Sequence, residues 1–460
     1  MFHRPLRLSF ILDASPLKEL TPLTDQRPQV SVVIPTHNRS SSLRRTLDAL
    51  VHQDYPIGQI EVVVVADGCT DDTAEMLLKY EAPFPVRILE QPCRGPAAAR
   101  NAGASVADGE LLVFLDDDVE PLPGLIEAHV QAHENVPRAA LVGPYPPMLN
   151  GRSDFFNTEL RHWWETMFDT MGEPGHRHTF RDLLTGNFSI EKVLFGEMGM
   201  FDTDLRCHED YEFGVRLIKA GVTLIFAPKA LAYHHETTDL DRALERKYEE
   251  GKADVLMGRR HPELRPILLL SVLRNHRSSS NRLLCALAFR SPGLARKLLV
   301  WLKTPLGFLE KFRIRRYWGR ILYFILDCSY WVGVKEQLGT IQALDDFLEG
   351  HLDSSTEKDS TIKLDLHEGI GTAERKLDQK RPAGAVIHYG NQLVGRILPQ
   401  PGSEPLRGAH LRPVLATKLA RPLAKALVQE GVMDLHVDAE RLLAACELES
   451  VKPELFDATL

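Results

Sequence analysis

The sequence predicts an α/β fold with a mostly parallel sheet flanked by helices, then a basic helical segment and a small α+β C-terminal unit. Three observations lead to this prediction. Short apolar runs alternate with helical patterns from residue 29 onward, and such alternation implies right-handed crossovers between parallel strands. Polar residues stand directly behind several of these runs. Residues 259–320 hold 15 Lys and Arg but only two acidic residues, Glu263 and Glu310. With 460 residues, the chain has room for two or three domains.

The elements follow from apolar periodicity and from the residues that interrupt it. Strand-like runs occur at residues 30–34, 60–65, 86–89 and 111–115. Helical patterns cover residues 43–51, a segment that begins near Asp72 with Glu75 as a capping box, and residues 96–106. In the less regular second half, we predict a strand at 183–190, a helix at 211–220 and a strand at 222–227.

Bulk composition excludes several classes of protein. A formal net charge of −8 argues against a dedicated nucleic-acid binder. The six cysteines are scattered without a CxxC pair, which indicates reduced thiols rather than a disulfide framework or a zinc site. The apolar stretch at residues 8–12 is too short for a signal peptide, and no apolar run reaches about 18 residues. We therefore expect a cytoplasmic protein without a transmembrane helix.

Three adjacent carboxylates, Asp116, Asp117 and Asp118, follow the apolar run at residues 111–115. Adjacent carboxylates repel one another, and a bound cation is the usual way to hold them together. They also stand at the end of a buried strand, where open α/β sheets bind their ligands. Hard oxygen ligands suit Mg²⁺ or Mn²⁺, and these ions suit a diphosphate. The alternative is a solvated acidic turn.

Two other strands also end in polar residues. The first is followed by residues 35–39, and the second by Asp67. A carboxylate at that edge can accept a hydrogen bond from a nucleobase or a ribose hydroxyl, although a turn residue bonded to its own backbone is the alternative. Neither a GxGxxG nor a GxxxxGK[ST] motif follows the first strand. This counts against a nicotinamide- or flavin-dependent oxidoreductase and against a P-loop nucleotidase.

Two downstream segments add titratable groups. Acidic residues that include Asp210 stand just before the helix predicted at 211–220, where one carboxylate could act as a general base. Negative charge near a helix N-terminus is favourable in any case, which is the structural alternative. His234 and His235 follow the strand at 222–227, and histidine is a common ligand for a divalent cation beside carboxylates.

Together these segments resemble the family 2 glycosyltransferases, which have the GT-A fold, over residues 29 to about 260. The motifs are short, but their order and spacing are specific. They read Val-Ser-Val-Val-Ile-Pro-Thr-His-Asn-Arg at 30–39, Asp-Gly-Cys-Thr-Asp-Asp-Thr at 67–73, Gly-Pro-Ala-Ala-Ala-Arg-Asn-Ala-Gly at 95–103, Phe-Leu-Asp-Asp-Asp at 114–118 and His-Glu-Asp at 208–210. One departure is Ala66-Asp67-Gly68-Cys69, where the family more often has Asp-Asp-Gly-Ser; the second Asp is kept.

The resemblance implies an inverting, metal-dependent transferase of the hexosyltransferase type. It would move a sugar from a nucleotide-diphosphate sugar to a hydroxyl of a glycan or a lipid-linked acceptor, in cell-surface polysaccharide or glycolipid synthesis. The implied residues are Asp210 as catalytic base; Pro35, Thr36, Asn38, Asp67, Arg100 and Asp116 around the nucleotide; Asp118 and His234 (with His235 as second choice) as ligands of Mg²⁺ or Mn²⁺; and Gly186, Asn187 and Glu209 on the acceptor and donor side.

Two other functions stay open at this stage. A sugar-phosphate nucleotidyltransferase would also use an α/β nucleotide-binding sheet and a metal, but residues 35–38 do not match the Gly-rich loop usual in those enzymes. A non-catalytic scaffold that docks on membranes through residues 259–320 is the second alternative, because motifs do not exclude an inactive relative.

The expected domain organisation has five parts. Residues 1–28 are an N-terminal extension and 29–258 the catalytic domain. Residues 259–350 are a basic amphipathic helical segment, which predicts peripheral attraction to an anionic inner membrane face; a helical layer with a solvated basic face is the alternative reading, and both can hold. Residues 351–381 have a linker composition. Residues 382–460 form a small unit with a hairpin at 385–397 and helical residues 411–429, which Pro422 interrupts.

Overall fold

The computed structural model describes residues 28–134, 136–148, 154–275, 279–349 and 361–432. The predicted N-terminal extension and residues 351–360 and 433–460 lie outside these ranges, apart from Pro28. The strands of the first unit are β1 (Val30–Thr36), β2 (Ile60–Asp67), β3 (Val86–Gln91), β4 (Leu111–Leu115), β5 (Val119–Pro121), β6 (Ala139–Val142), β7 (Asn187–Glu191), β8 (Thr223–Phe226) and β9 (Ala232–His234).

A seven-stranded sheet in the order β3-β2-β1-β4-β7-β6-β8 forms the centre of the molecule. β1, β2, β3 and β4 run parallel to one another, as the alternating pattern predicts. Every residue of β2 and β4 is buried, which explains their continuous apolar sequences. Parallel strands end at one edge of a sheet, so the polar residues behind β1, β2 and β4 are brought together there.

The strand predicted at residues 183–190 begins only at Asn187. This strand, β7, runs antiparallel to both of its neighbours, β4 and β6, and is the exception in a mostly parallel sheet. Residues 183–186 lead into it, so that Gly186 lies opposite the end of β4 and its carbonyl oxygen accepts a hydrogen bond from the Asp116 N–H. The mostly parallel α/β fold is confirmed, with this one reversal.

Helices cover both faces of the sheet, and α3 shows how closely. A Cβ atom on Gly103 of α3 would lie 2.5 Å from the Val33 side chain, so glycine permits the contact between this helix and the sheet. The capping box predicted at Asp72 does not form, since the Asp72 side chain accepts no capping hydrogen bond; Asp71 accepts the Thr73 N–H at 3.1 Å. These helices are α1 (Ser40–Leu50), α2 (Thr73–Leu78), α3 (Pro96–Val106), α4 (Leu125–His133), α5 (Phe155–Gly172), α6 (Lys192–Glu197) and α7 (Glu209–Lys219).

A helical layer follows, formed by α8 (Leu240–Arg260), α9 (Leu269–Asn275), α10 (Ser279–Arg290), α11 (Pro292–Lys311), α12 (Arg315–Leu338) and α13 (Ile341–Glu349). Its buried residues belong to the same apolar core as the sheet. A Cβ on Gly251 of α8 would lie 2.2 Å from the Tyr330 carbonyl oxygen, which shows how tightly α8 and α12 cross. The layer therefore packs on the first unit. Within the described ranges, no helix has the length and apolarity needed to cross a bilayer.

The C-terminal unit has its own apolar core. The hairpin predicted at 385–397 is present as β11 (Gly384–Tyr389) and β12 (Gln392–Ile397), and the helical segment is divided, as Pro422 predicts, into α15 (Leu411–Ala416) and α16 (Ala420–Gln429). The linker prediction is wrong over residues 361–381. They form β10 (Thr361–Asp365) and α14 (Ile370–Lys380), because β10 pairs with β11, a partner that its own polar sequence does not reveal.

Candidate active site

The end of β4 and the short β5–β9 ribbon bring the acidic triplet to His234. β5 pairs antiparallel with β9 so that Val119 lies opposite His234. This register places Asp118 Oδ1 3.3 Å from His234 Nε2. The His234 ring is buried against the aromatic rings of Tyr145 and Trp164, at centroid distances of 6.0 and 5.8 Å. Residues more than 110 positions apart in sequence therefore meet in one cluster.

His235 points to a different partner. Its Nε2 contacts Glu120 Oε2, while its backbone N–H donates to the Asp118 carbonyl oxygen at 2.8 Å. The geometry therefore favours His234 over His235 as the histidine beside the Asp118 carboxylate.

Arg39, which our sequence analysis did not single out, is the cation of this cluster. Its Nη1 lies 3.1 Å from Asp117 Oδ1 and also contacts Asp118 Oδ2. The side chain is 41% exposed, so it lies at the mouth of the cluster rather than in its interior. A sequence signal existed, because Arg39 follows β1 at the same sheet edge, but only the fold shows that its guanidinium bridges two of the three carboxylates.

Asp117 is the most buried member of the triplet. Its Oδ2 accepts a hydrogen bond from the Thr36 hydroxyl at 2.7 Å, and its carbonyl oxygen accepts one from Thr46. Burial and, to a smaller extent, the neighbouring carboxylate of Asp118 raise the pKa of Asp117 to about 7, although the attraction of Arg39 opposes them. Asp117 therefore ties the loop to β1 and α1, and Thr36 is committed to that contact.

The Asp118 and His234 side chains stabilise each other's charge. Burial opposes ionisation of Asp118, but its contacts with His234 and Arg39 outweigh burial and hold its pKa below the ordinary value. For His234, burial lowers the pKa, and the adjacent Asp118 carboxylate more than compensates, so the pKa is raised.

These residues fit a divalent cation. They combine a carboxylate and an imidazole whose facing atoms are 3.3 Å apart. The other ring nitrogen, His234 Nδ1, is buried without a hydrogen-bond partner among the described residues and lies 3.6 Å from Glu236 Oε2. A metal bound between Asp118 and His234 would add positive charge beside the carboxylates that Arg39 contacts.

Arg100 of α3 joins the triplet to the His-Glu-Asp motif. This guanidinium is 4% exposed; its Nη2 donates to Asp116 Oδ1 at 2.6 Å and its Nη1 to Glu209 Oε1 at 2.8 Å. A buried charge is tolerated only when it is paired in this way. One arginine therefore holds the end of β4 beside the beginning of α7.

Asp210 occupies the first turn of α7, next to Glu209, and is half-buried. Burial raises the pKa of Asp210 above its usual range, although His208 and Arg100 partly offset the effect. Its Oδ1 accepts the Tyr211 N–H at 2.8 Å. Burial and the adjacent Asp210 also raise the pKa of Glu209 to about 7, against the pull of Arg100. A carboxylate made more basic in this way is suited to accept a proton.

Asp67 lies at the end of β2 and accepts three hydrogen bonds from the chain that leads into α3. Its Oδ1 accepts from the Arg94 N–H and from Gln91 Nε2, and its Oδ2 from the Gly95 N–H, each at 2.8 Å. The carboxylate thus shapes the segment before α3. Two oxygens can accept about four hydrogen bonds, so one acceptor position is left for a nucleoside.

Asn38 joins the loops behind β1 and β2. It has a positive φ of 55°, which asparagine tolerates better than most residues. Its Oδ1 accepts the Thr70 N–H at 2.6 Å and the Asp71 N–H at 3.2 Å. Pro35, one residue before Thr36, is still part of β1 and pairs with Val65 of β2. Residues 35–38 therefore line the same edge as Asp67 and Asp117.

A cavity of about 450 Å³ opens beside Asp118 at the start of α1. Its lining includes Arg39, which precedes α1, and Arg242 at the beginning of α8. It also includes Ser41, Ser42 and Arg45 of α1. Hydroxyl groups and guanidinium groups at a helix N-terminus suit an anionic ligand such as a diphosphate.

Gly186 and Asn187, predicted on the acceptor and donor side, have different surroundings. A Cβ on Gly186 would lie 2.7 Å from the Tyr145 ring, so this backbone lies against the aromatic group that also contacts His234. The Asn187 side chain is fully buried; its Nδ2 donates to the Ala230 carbonyl oxygen and its Oδ1 contacts His129 Nε2. The position of Gly186 supports a place in the site, whereas that of the Asn187 side chain does not.

We expect Arg100→Leu to destabilise the protein by about 3–5 kcal/mol, since it leaves the buried Glu209 carboxylate and the partly exposed Asp116 carboxylate without their cation. Urea unfolding at pH 7 measures the free energy of unfolding. Arg138→Leu is the matched control, because the ion pair of Arg138 with Glu197 is half exposed and should contribute at most about 1 kcal/mol. Equal losses in both variants would contradict the assignment of Arg100 as the bridge.

A mostly parallel α/β sheet with an acidic cluster at its carboxyl edge is typical of domains that bind a ligand at that edge. Residues 31–198 match the family model described as Glycosyl transferase family 2. These residues form a family 2 glycosyltransferase domain, as the motifs predict.

Two curated relatives illustrate the similarity. Validoxylamine A glucosyltransferase of Streptomyces hygroscopicus subsp. jinggangensis is 30% identical over 280 residues, which are 54% of this chain and 65% of the relative. Pre-mycofactocin glycosyltransferase of Mycobacterium tuberculosis is 28% identical over 265 residues, 57% of this chain and 54% of the relative. The chain therefore spans between 54% and 65% of the length of these relatives.

Among solved structures, a mannosyltransferase from Pyrobaculum calidifontis in complex with GDP-Man and Mn²⁺ aligns with 67% of this chain and 88% of its own. The TM-score is 0.45 and the sequence identity is 19%.

Proposed function

We propose that the protein is an inverting glycosyltransferase that moves a sugar from a nucleotide-diphosphate sugar to an acceptor hydroxyl. The observation that carries this proposal is the Arg100 bridge, which joins Asp116 to Glu209 and so holds the acidic triplet beside Asp210. A phosphate-binding edge and a carboxylate of raised pKa are then neighbours. Transfer from a nucleotide sugar requires both, one for the leaving diphosphate and one for the attacking hydroxyl.

Asp210 is the proposed general base. It would accept the proton of the acceptor hydroxyl as the oxygen attacks the anomeric carbon from the face opposite the leaving diphosphate. The carbon–oxygen bond to the acceptor forms as the bond to the diphosphate breaks, and the configuration inverts. Its raised pKa supports the role, because a carboxylate that holds a proton more tightly removes one more effectively.

The donor nucleotide would bind along the edge formed by residues 35–38, Asp67 and the triplet. Asp67 has acceptor capacity left for a nucleoside group, and Asn38 fixes the loop that follows Asp67 in sequence. The arginines and serines around the 450 Å³ cavity beside Asp118 suit the diphosphate. Asp118 and His234 would hold Mg²⁺ or Mn²⁺, which would neutralise charge that develops on the leaving group.

The two alternative functions, nucleotidyl transfer and a non-catalytic scaffold, receive no support from the relatives, whose names describe glycosyl transfer. The function is best tested with a panel of UDP-, GDP- and dTDP-sugars incubated with the protein and Mn²⁺. Mass spectrometry would score slow sugar-nucleotide hydrolysis, which needs no acceptor. Hydrolysis of one donor class is the expected result. Release of pyrophosphate from a nucleoside triphosphate would support the nucleotidyltransferase instead, and no turnover of any donor would support the scaffold.

We also propose that the helical layer binds an anionic membrane surface. Such binding would bring the site close to a lipid-linked acceptor, as polysaccharide or glycolipid synthesis requires. Leu294, Trp301 and Phe308 recur at seven-residue spacing on α11 and so share one face, and Phe312 follows one turn later. These side chains are 56–80% exposed. Exposed aromatic groups of this size on one helix face are typical of a membrane interface.

Charge supports this partner. Two exposed basic residues of α11, Lys297 and Lys311, flank the apolar face. Each basic side chain near an anionic bilayer contributes roughly 1 kcal/mol of attraction. The other face of the layer is buried in the common core, where Trp318 and Trp331 of α12 lie. The layer is thus packed on one side and exposes an apolar, basic surface on the other.

We expect the Trp301→Ser/Phe308→Ser double variant to bind anionic vesicles at least tenfold more weakly than the original chain. Loss of two buried aromatic groups at the bilayer should cost about 1.5–3 kcal/mol each. Co-sedimentation with phosphatidylglycerol–phosphatidylcholine vesicles measures this. Trp163→Ser on α5 is the matched control, since Trp163 is 47% exposed outside the helical layer. Equal binding by both variants, or binding that pure phosphatidylcholine supports equally well, would contradict the proposal.

A further inference from the structure

A second group of metal-ligating side chains lies in the loop between α5 and β7 and shares no residue with the acidic triplet. Of the groups that the described residues form, His176, His178 and Asp182 bring one ligand atom each to within 4.8 Å of the other two. His176 Nε2 lies 2.8 Å and His178 Nδ1 3.5 Å from Asp182 Oδ2. The side chains are 16%, 9% and 14% exposed, so the group is largely sheltered but still open to an ion from solvent.

These separations suit a common cation. Ligand atoms bound to Zn²⁺ at about 2.0–2.1 Å in tetrahedral geometry lie roughly 3.3–3.4 Å apart. The two distances to Asp182 Oδ2 bracket that value, and small rotations of the side chains would equalise them. The two imidazole rings pack edge to face with centroids 4.9 Å apart, so both lie beside the Asp182 carboxylate.

The donor set decides the kind of ion. Two imidazole nitrogens and one carboxylate oxygen favour a borderline transition ion such as Zn²⁺, whereas Mg²⁺ prefers oxygen ligands alone. The two ligands proposed at Asp118 and His234 include one imidazole instead of two, and the diphosphate of the donor would supply further oxygen ligands there. The two sites should therefore differ in their preferred metal.

The loop that contains His176, His178 and Asp182 contacts two other parts of the fold. The His178 carbonyl oxygen accepts the Glu404 N–H at 2.8 Å, and the Phe180 N–H donates to the Gly402 carbonyl oxygen at 2.9 Å. Phe180 also packs edge to face against Tyr211 of α7, with centroids 6.0 Å apart. The same few residues thus contact the C-terminal unit and the helix that carries Asp210.

The geometry points to a second cation site, formed by His176, His178 and Asp182, that takes Zn²⁺ or a similar transition ion and braces this loop. An ion bound there links the two ends of residues 176–182, in addition to the hydrogen bond between the Thr179 N–H and Asp182 Oδ2. It stabilises the contact of the loop with the C-terminal unit and with α7. The role is structural, since none of the three side chains belongs to the proposed catalytic group.

The test uses the full chain without a polyhistidine tag, dialysed against chelator and titrated with Zn²⁺ alone, or with Co²⁺ as a spectroscopic probe. We expect one tightly bound Zn²⁺ per chain that excess Mg²⁺ does not displace, a rise in Tm, and Co²⁺ absorption typical of tetrahedral nitrogen–oxygen coordination. Asp118→Ala should retain this ion, which separates the site from the one proposed at the acidic triplet.

His176→Gln and His178→Gln should each lower Zn²⁺ affinity at least tenfold and abolish the metal-dependent rise in Tm. His162→Gln is the matched control, because His162 is exposed on α5. His176 is the more exposed of the two ligands, so His176→Gln keeps the test valid if the His178 variant unfolds. Zn²⁺ binding that is absent from the original chain, or that is equal in the His176 variant and the control, would overturn the proposal and leave a hydrogen-bonded loop.

Discussion

Asp210→Asn is expected to lower turnover by roughly 10²–10⁴-fold while the Kd for the nucleotide hardly changes, because general-base assistance has about that value. Asparagine has nearly the size of aspartate but cannot accept the proton of the acceptor hydroxyl. Steady-state kinetics with the donor found in the panel would measure turnover, and calorimetric titration with the free nucleotide would measure binding. Unchanged turnover would remove Asp210 from the role.

The pH profile provides a second measurement on the same variant. Burial raises the pKa of Asp210, so the catalytically active carboxylate is protonated, and turnover lost, at a higher pH than the ordinary aspartate value of about 4. Turnover should therefore rise as pH increases through this raised pKa, and the Asn variant should lack that rise. Because Glu209 is adjacent, with a pKa raised to about 7 by burial and by Asp210, the profile reports the pair.

The control for both experiments is Asp204→Asn, the same chemical change on an exposed carboxylate. The Asp204 side chain is 78% exposed and pairs with Arg260 at the surface. We expect turnover and its pH dependence to stay at the level of the original chain. If the control lost as much turnover as Asp210→Asn, the effect would be a general disturbance around the start of α7.

Asp118→Ala is expected to abolish the part of nucleotide binding that depends on a divalent cation. The variant removes the carboxylate that faces His234 Nε2 at 3.3 Å, and one imidazole alone should hold Mg²⁺ or Mn²⁺ weakly. Titration of UDP, GDP and dTDP with and without Mn²⁺ measures the effect. In the original chain Mn²⁺ should tighten binding of the preferred nucleotide, and in the variant the two curves should coincide.

The controls for Asp118→Ala address folding and charge. Asp72→Ala removes an exposed carboxylate at the beginning of α2, whose side chain forms no capping hydrogen bond, and should keep the response to Mn²⁺. Asp118→Asn keeps the side-chain volume beside Arg39 and His234 and should lose the response as the alanine variant does. A full response to Mn²⁺ in a folded Asp118→Ala protein would show that the metal, if any, is held elsewhere.

The strand ends of the first half were predictable because local sequence determines them. The apolar runs that precede Asp67 and Asp116 form β2 and β4. Both strands pair with β1 in parallel, as the alternation of strands with helices predicts. In α3, even the bounds agree with the pattern, since Pro96 begins the helix. These elements depend on periodicity over a few residues, which a sequence displays directly.

Elements that depend on a distant partner were harder to predict. β7 is short and reversed, and only its pairing with β4 and β6 reveals where it starts. β10 has a polar sequence and looked like part of a linker, yet it is a strand because β11 lies beside it. In both cases the stabilising hydrogen bonds come from residues 20 or more positions away, and the segment's own composition carries little of that information.

The sequence by itself determined the resemblance of its first unit to family 2 glycosyltransferases, the α/β architecture, and the set of carboxylates and histidines from which a site could be built. Tertiary structure alone decided how they combine. It placed His234 rather than His235 beside the Asp118 carboxylate, committed Asp117 to Thr36, and made Arg100 the bridge between Asp116 and Glu209. The physical reason is that charge pairing depends on distances of about 3 Å, which are set by strand register and helix packing rather than by proximity along the chain.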